Sequence, residues 1–323
     1  MRPAPRTVVM KTESGSCARV LSTRVNRRVF LYECGRMLGA SLLPVFDDAR
    51  PRIAAAGSLR MLALVGADTD SPRPSLRRGI EMGADEATHT MALFGMSLAL
   101  TVRTVSGPDA VAAAERAAVR GSRAPSVIIR AVSNACPTTP SSPSVPTIDI
   151  ACADYEVPEA DADTIGEPQR PRATPAGAKL LLRVRPSTST LRRVQAQVTD
   201  TLHSAPNGRR RVELWHPSLE RFGGEQLNQR YQRRFGEPMD SDAWAGWVAV
   251  KIAAESSLRA RATTPAAVAG ALTDSNVQFD GHKGHPLTFH PASHELLQPL
   301  YIVDADTDSD PGRVVAEFVP EGP

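Results

Sequence analysis

An alternation of strand and helix patterns that begins at residue 58 constrains the fold most. Residues Leu59 to Val65 form a nearly continuous apolar run closed by Gly66. That pattern suits a strand buried on both faces of a parallel sheet. Leu76, Ile80, Gly83, Ala84, Ala87 and Met91 then recur at helical spacing, and Leu98 to Val105 returns to a strand pattern. Asp109 is positioned to N-cap a helix running to Arg120, and a strand follows from Ser126 to Arg130. Strands alternating with helices predict an α/β class with a doubly wound lobe.

The regular pattern then fails. Residues 135–146 read ACPTTPSSPSVP, and residues 156–177 are acidic, proline-rich and almost free of large apolar side chains. Neither stretch buries enough to offset the entropy of ordering, so both are expected to be loops or linkers. Between them, Thr147 to Ala151 suits a short strand. A second α/β unit opens with a strand at 179–185, followed by Leu191, Val194, Val198 and Leu202 at helical spacing. Arg210 to Trp215 is the next strand and Leu219 to Phe235 the next helix. A helix from Ser241 to Arg259 carries Trp244, Trp247, Val248 and Ile252 as core contacts, and Thr264-Pro265 starts a shorter one to Leu272. Leu287 to Phe289 is expected to pair with Leu300 to Val303 as a hairpin, with a last strand near 314–319. At 323 residues the chain exceeds the roughly 100 to 200 residues of a usual domain, so two lobes are expected.

Composition narrows the function class. The net charge of +3 comes from a basic complement in which only four residues are lysine. Arginine pairs such as Arg77-Arg78 and Arg233-Arg234 sit on helical segments among acidic residues. They form no basic stripe interleaved with aromatics, which argues against a nucleic-acid partner. No GxSxG elbow, P-loop, GxGxxG turn or HExxH pair occurs, so neither an enzyme nor a cofactor is expected. The four cysteines form no CxxC pair. In an exported protein Cys136 and Cys152 suit a disulfide; two buried thiols are the alternative.

The N-terminal 57 residues read as a leader. Arg27-Arg28 followed by Val29-Phe30-Leu31 and a short apolar run resembles a twin-arginine export signal. The run from Met37 to Phe46 falls well below the ~20 residues of a membrane-spanning helix, so no permanent membrane anchor is expected. Ala54-Ala55-Ala56 before Gly57 offers a cleavage site, which makes the mature protein periplasmic; the alternative is a cytoplasmic protein with an amphipathic N-terminal helix.

The stretch from Trp215 to Tyr301 includes LWHPSLERFGGEQLNQRYQRRFGEPMDSDAWAGWVAVKIAAESS and QFDGHKGHPLTFHPASHELLQPLY. It resembles the C-terminal part of type I periplasmic solute-binding proteins, the branched-chain amino acid type that serve ABC transporters. The segment from Gly281 looks most like a subgroup associated with quinoprotein (PQQ-dependent) alcohol oxidation. The resemblance implies a two-lobed type I fold, with parallel sheets flanked by helices and a reduced second lobe. Lobe 1 is placed at 58–155 plus 238–285, a linker at 156–177, and lobe 2 at 178–237 plus 286–320. It implies a small polar solute and an ABC permease as partners. The short second lobe motivates one alternative, an accessory protein of a periplasmic oxidoreductase; a metal-capture protein is the other.

In that family the solute lies between lobes, at loops on the carboxyl ends of the parallel strands. Carried onto this sequence, the loops are Asp68, Thr69, Asp70 and Ser71, then Ser133 and Asn134, then Asp154 and Tyr155, with Trp215 and His216 from the second lobe. Hydroxyls and backbone N–H groups would bind a carboxylate, and Asp68 or Asp154 a cationic group. The same residue types also cap helices and form turns. For metal, His282, His285, His290 and His294 crowd one segment, but strand alternation would scatter their rings. Asp306, Asp308, Asp310 and Glu317 match positions of an EF-hand-like loop, yet Pro311 stands where that loop needs glycine, so a solvated hairpin turn is expected.

Overall fold

A parallel sheet pairs its backbone groups from strand to strand and leaves two apolar faces, which helices cover. A computed structural model describes residues 57–67, 73–133, 136, 144–152, 180–201, 209–307 and 310–320. Five parallel strands, β1 (Ser58–Gly66), β2 (Ser97–Val105), β3 (Val127–Ala131), β4 (Thr147–Asp149) and β5 (Leu181–Arg183), lie in the order β2-β1-β3-β4-β5. Alternation along β1 sends Leu59, Met61 and Ala63 into the main core. Leu62 and Leu64 go to a smaller cluster with Val111 and Ile128 on the opposite face. Complete burial of one such leucine contributes about 1.5–3 kcal/mol.

The strand at 181–183, given to the second lobe by the sequence pattern, instead pairs in parallel with β4 and forms an edge of this sheet. Leu181 and Leu182 are buried on both faces, which a parallel sheet provides.

The helices are α1 (Pro74–Leu93), α2 (Gly107–Arg120), α3 (Thr188–Thr201), α4 (Gly224–Phe235), α5 (Ser241–Ala260) and α6 (Pro265–Thr273). Three of them begin differently from, or with more detail than, the sequence pattern. Asp109 lies in the first turn of α2 and is not its cap; Pro108 suits the first turn and starts the helix at Gly107. The helix expected from Leu219 begins at Gly224, because Phe222 and Gly223 adopt left-handed conformations with φ of 56° and 86°. Asp240 caps α5, its side chain accepting the Ala243 N–H at 2.7 Å.

Helix α5 packs on α1 through small residues. A Cβ added at Gly79 would stand 2.0 Å from the Ala243 carbonyl oxygen, and one at Gly246 would stand 2.4 Å from the Leu76 oxygen. Only glycine lets the two backbones approach this closely. Trp247 closes the seam by donating from Nε1 to Glu86 at 2.8 Å.

The remaining strands are β6 (Arg209–Glu213), β7 (Phe279–Asp280), β8 (Pro286–Phe289), β9 (Leu296–Leu297), β10 (Leu300–Ala305) and β11 (Arg313–Phe318). They form two three-stranded sheets, β11-β10-β6 and β7-β8-β9. The hairpin expected between 287–289 and 300–303 is therefore not formed. A tight turn brings the chain back early: His290 Nδ1 accepts the Ala292 and Ser293 N–H groups, and Phe289 pairs with Leu296. Pro299 has no N–H to continue the ladder, and β10 leaves to pair with β6 and β11.

Trp215 and Trp244 stack with centroids 6.1 Å apart in the core that joins these sheets to the first. Cys136 and Cys152 form a disulfide, their Cα atoms 5.4 Å apart. Of the two sequence alternatives, the cross-link is the one found. No helix among the described residues is long and apolar enough to cross a membrane.

Candidate functional site

The carboxyl ends of β1, β3, β4 and β5 meet the N-terminus of α5. Arg73, immediately before α1, donates from Nη1 to Ser133 Oγ at 3.1 Å and to the Ala151 carbonyl at 3.3 Å. Its Nε lies 3.1 Å from Asp242 Oδ2. Arg185, two residues beyond β5, donates from Nε to the Ile150 carbonyl at 2.9 Å and pairs through Nη2 with Asp242 Oδ1. One carboxylate on the first turn of α5 thus bridges two guanidinium groups.

Exposure grades across the cluster. The Arg73 side chain is 30% exposed, against 16% for Asp242 and 12% for Arg185, so Arg73 forms the rim and Arg185 the floor. Burial, and after it the Arg73 charge, lower Arg185 to about 10 against the opposing charges of Asp240 and Asp149. At neutral pH Arg185 therefore keeps its charge.

The loop supplying Ile150 and Ala151 is held from below. Asp149 Oδ1 accepts the Ala151 and Cys152 N–H groups at 3.1 and 2.9 Å, and the disulfide ties Cys152 back to Cys136 beyond β3. Burial raises the Asp149 carboxyl above its ordinary value despite those bonds and the nearby Arg130. Arg130 is itself fully buried and bonds to Glu115 on α2 at 2.6 Å.

Of the expected site residues, Ser133 belongs to this cluster. Asp68, Thr69, Asp70, Ser71, Asn134, Asp154 and Tyr155 lie outside the described residues. Trp215 is wholly buried, its Nε1 donating to Asn228 at 2.8 Å. His216 is 3% exposed, with Ser218 Oγ on Nδ1 at 2.7 Å and the Pro311 carbonyl on Nε2 at 2.9 Å. Both rings are spent on packing and leave no surface for a solute. Arg73, Arg185 and Asp242 were missed in the sequence. The strand-end rule points to Arg185 once the strand at 181–183 is placed in the first sheet.

The other chemical candidates separate. Asp308 lies outside the described residues, Asp310 accepts the Asp306 and Gly312 N–H groups at 3.0 and 2.9 Å, and Glu317 lies on β11. Those bonds hold the Asp310 carboxyl below its ordinary value. His282 stacks on Trp247, whereas His290 caps its own turn. Among the described residues no group of three or more His, Cys, Asp or Glu side chains converges as for a metal ion. A cavity of about 720 Å³ lies between Phe222, Phe279 and the C-terminal turns of α5, more than three helical turns from Asp242.

No protein-family profile and no curated protein matches the chain. Solved structures do. A solute-binding protein of an ABC transporter from Rhodopseudomonas palustris BisB5, in complex with 3,4-dihydroxybenzoic acid, aligns with a TM-score of 0.55 at 11% identity, covering 82% of this chain and 99% of that one. An ABC-type branched-chain amino acid transporter protein from Rhodopseudomonas palustris CGA009 aligns with a TM-score of 0.52 at 14% identity, over 81% and 96%. The leucine-, isoleucine-, valine-, threonine- and alanine-binding protein of Brucella ovis, in its closed conformation, gives 0.52 at 10% identity, over 81% and 95%. At such identities the likeness concerns architecture: the chain has an α/β fold, a parallel sheet flanked by helices, that matches type I periplasmic binding proteins.

Proposed function

We propose that this chain is the periplasmic substrate-binding component of an ABC-type uptake system, holding a small polar solute between two lobes. The observation that carries this reading is the Arg73–Asp242–Arg185 cluster at the carboxyl edge of the five-stranded sheet. That edge is where open α/β sheets bind ligands. The likeness to solute-binding proteins over four fifths of the chain supports it. In this reading Asp68, Thr69, Asp70, Ser71, Ser133, Asn134, Asp154 and Tyr155 line the same cleft, and an ABC permease receives the solute. The leader would carry the protein across the membrane by the twin-arginine route.

A thermal-shift screen of the full chain against amino acids, aromatic acids, calcium and a lanthanide tests the proposal. A solute present at 100 times its dissociation constant adds about 2.7 kcal/mol, which moves the melting temperature by several degrees. Stabilisation by an organic solute is the expected result. A shift with metal alone would transfer the assignment to the Asp306–Glu317 hairpin. No shift at all would favour the accessory role, to which the small three-stranded sheet β11-β10-β6 is the pointer.

A further inference from the structure

We propose that Arg73 and Arg185 form the anion seat of the solute site, that Asp242 occupies this seat as an internal counter-carboxylate, and that the solute admitted is an organic carboxylate that displaces it. This rests on the solute-binding reading above and narrows it.

The chain's own side chain shows what the seat accepts. A single planar carboxylate spans both guanidinium groups, one oxygen to each, and guanidinium is the side-chain cation whose fork suits carboxylates. The seat does not need Asp242 to exist. Arg185 is anchored on the Ile150 carbonyl, and Arg73 on Ser133 and the Ala151 carbonyl. Those carbonyls are fixed in turn, because Ile150 N–H bonds to the Arg130 carbonyl at 2.9 Å and Ala151 N–H to Asp149. A seat held by the fold stays preorganised when its first occupant leaves. Arg73 at the rim gives an incoming carboxylate its approach. A displaced Asp242 remains on the first turn of α5, where a negative charge is favoured by the helix dipole.

Displacement frees the Asp242 carboxylate beside the seat, whereas its neighbours stay engaged: Asp240 accepts the Ala243 N–H as the cap of α5, and Asp149 is 2% exposed and accepts two backbone N–H groups.

Isothermal titration of the full chain with benzoate, and with leucine as the zwitterionic control, tests the seat. Benzoate is expected to bind the natural protein. Asp242→Asn keeps the shape and removes the competing charge, so benzoate should bind about tenfold tighter, a change worth about 1.4 kcal/mol. Arg185→Gln should weaken it by at least roughly tenfold. Arg73→Gln, at the exposed rim, should do the same in a protein whose melting is little changed. Leucine binding with benzoate silent in both the natural protein and Asp242→Asn would overturn the seat while leaving the solute-binding reading intact. Benzoate affinity indifferent to all three substitutions would also overturn it. Failure of every variant to bind either probe would remove both proposals.

Discussion

Arg130 and Lys283 are both sealed from solvent, 0% and 1% exposed, yet the parallel-sheet layer and the small-sheet core hold their charges by different means. On β3, Arg130 meets carboxylates. Its Nε and Nη2 bond to Glu115 Oε1 at 3.1 and 2.6 Å, and Nη1 stands 3.7 Å from Asp149 Oδ2. Lys283 meets dipoles and rings. Its Nζ donates to Gln298 Oε1 at 2.8 Å and to the Pro299 carbonyl at 2.9 Å, 3.8 Å from the Trp244 ring centroid and 5.4 Å from that of Tyr301. Burial accordingly drives its amine well below the ordinary lysine value, with Glu317 opposing from a distance. The parallel layer fixes a charge by pairing it, whereas the small-sheet core leaves protonation as the variable.

The sharpest way to break that contrast is to remove one member of the pair. Glu115→Ala strands the Arg130 charge and should cost about 3–5 kcal/mol in urea unfolding, as for other broken buried pairs. Replacing Glu115 with Leu and Arg130 with Met together should cost far less, since the charges leave as a pair. A loss under about 1 kcal/mol for Glu115→Ala would mean that Asp149 alone satisfies the arginine. Next in size is the disulfide, which closes a loop with a sequence separation of 16. Replacing Cys136 and Cys152 with Ser should cost about 3 kcal/mol by the loop-entropy account. An unchanged melting temperature in reductant would show that the loops beyond β3 and β4 hold themselves.

How far the sequence revealed the fold divides along the same line. The parallel layer was legible because its period is local: Leu59 to Val65, Leu98 to Val105 and Ser126 to Arg130 each read as strands and form β1, β2 and β3. The small sheets were not, because their pairing is decided by chain breaks with no period. Pro299 ends one ladder, and the His290–His294 turn returns β8 to β9 before β10 is reached. In the candidate cluster, the strand-end rule had named Ser133, which accepts a bond from Arg73, while Arg185 was hidden by the assignment of its strand to the second lobe. Asp242 had no visible signal, since an acidic residue on the first turn of a helix is commonplace.

Glycine substitutions sharpen the comparison at smaller cost. Gly79→Ala drives a methyl group into the Ala243 carbonyl across the α1–α5 seam, where only backbone movement gives relief. A destabilisation of about 1–3 kcal/mol is expected from thermal or denaturant melting. Gly270 on α6 has nothing within 4 Å of an added Cβ. Gly270→Ala should therefore stabilise by about 0.5–1 kcal/mol through helix propensity. Equal effects at the two positions would remove the close seam as the explanation.

The test that separates Lys283 from Arg130 is a pH slope, roughly a few tenths to 1.4 kcal/mol at each step of pH and not a single loss of stability. With its folded value lowered and its unfolded value near the ordinary 10.5, Lys283 binds fewer protons in the folded chain than in the unfolded one. Between those two values stability must rise with pH, because deprotonation removes a charge that the core solvates poorly; below the lowered value the penalty is complete and flat. The expected contribution is about 1.4 kcal/mol per pH unit inside the window. Lys283→Met should abolish it, so subtracting the two stability profiles between pH 7 and 10 isolates the term from every other titrating group. A zero difference slope would mean that Gln298, Pro299, the rings and Glu317 keep the ammonium charged as firmly as Glu115 and Asp149 keep Arg130. The two regions would then hold their buried cations with equal strength despite different partners.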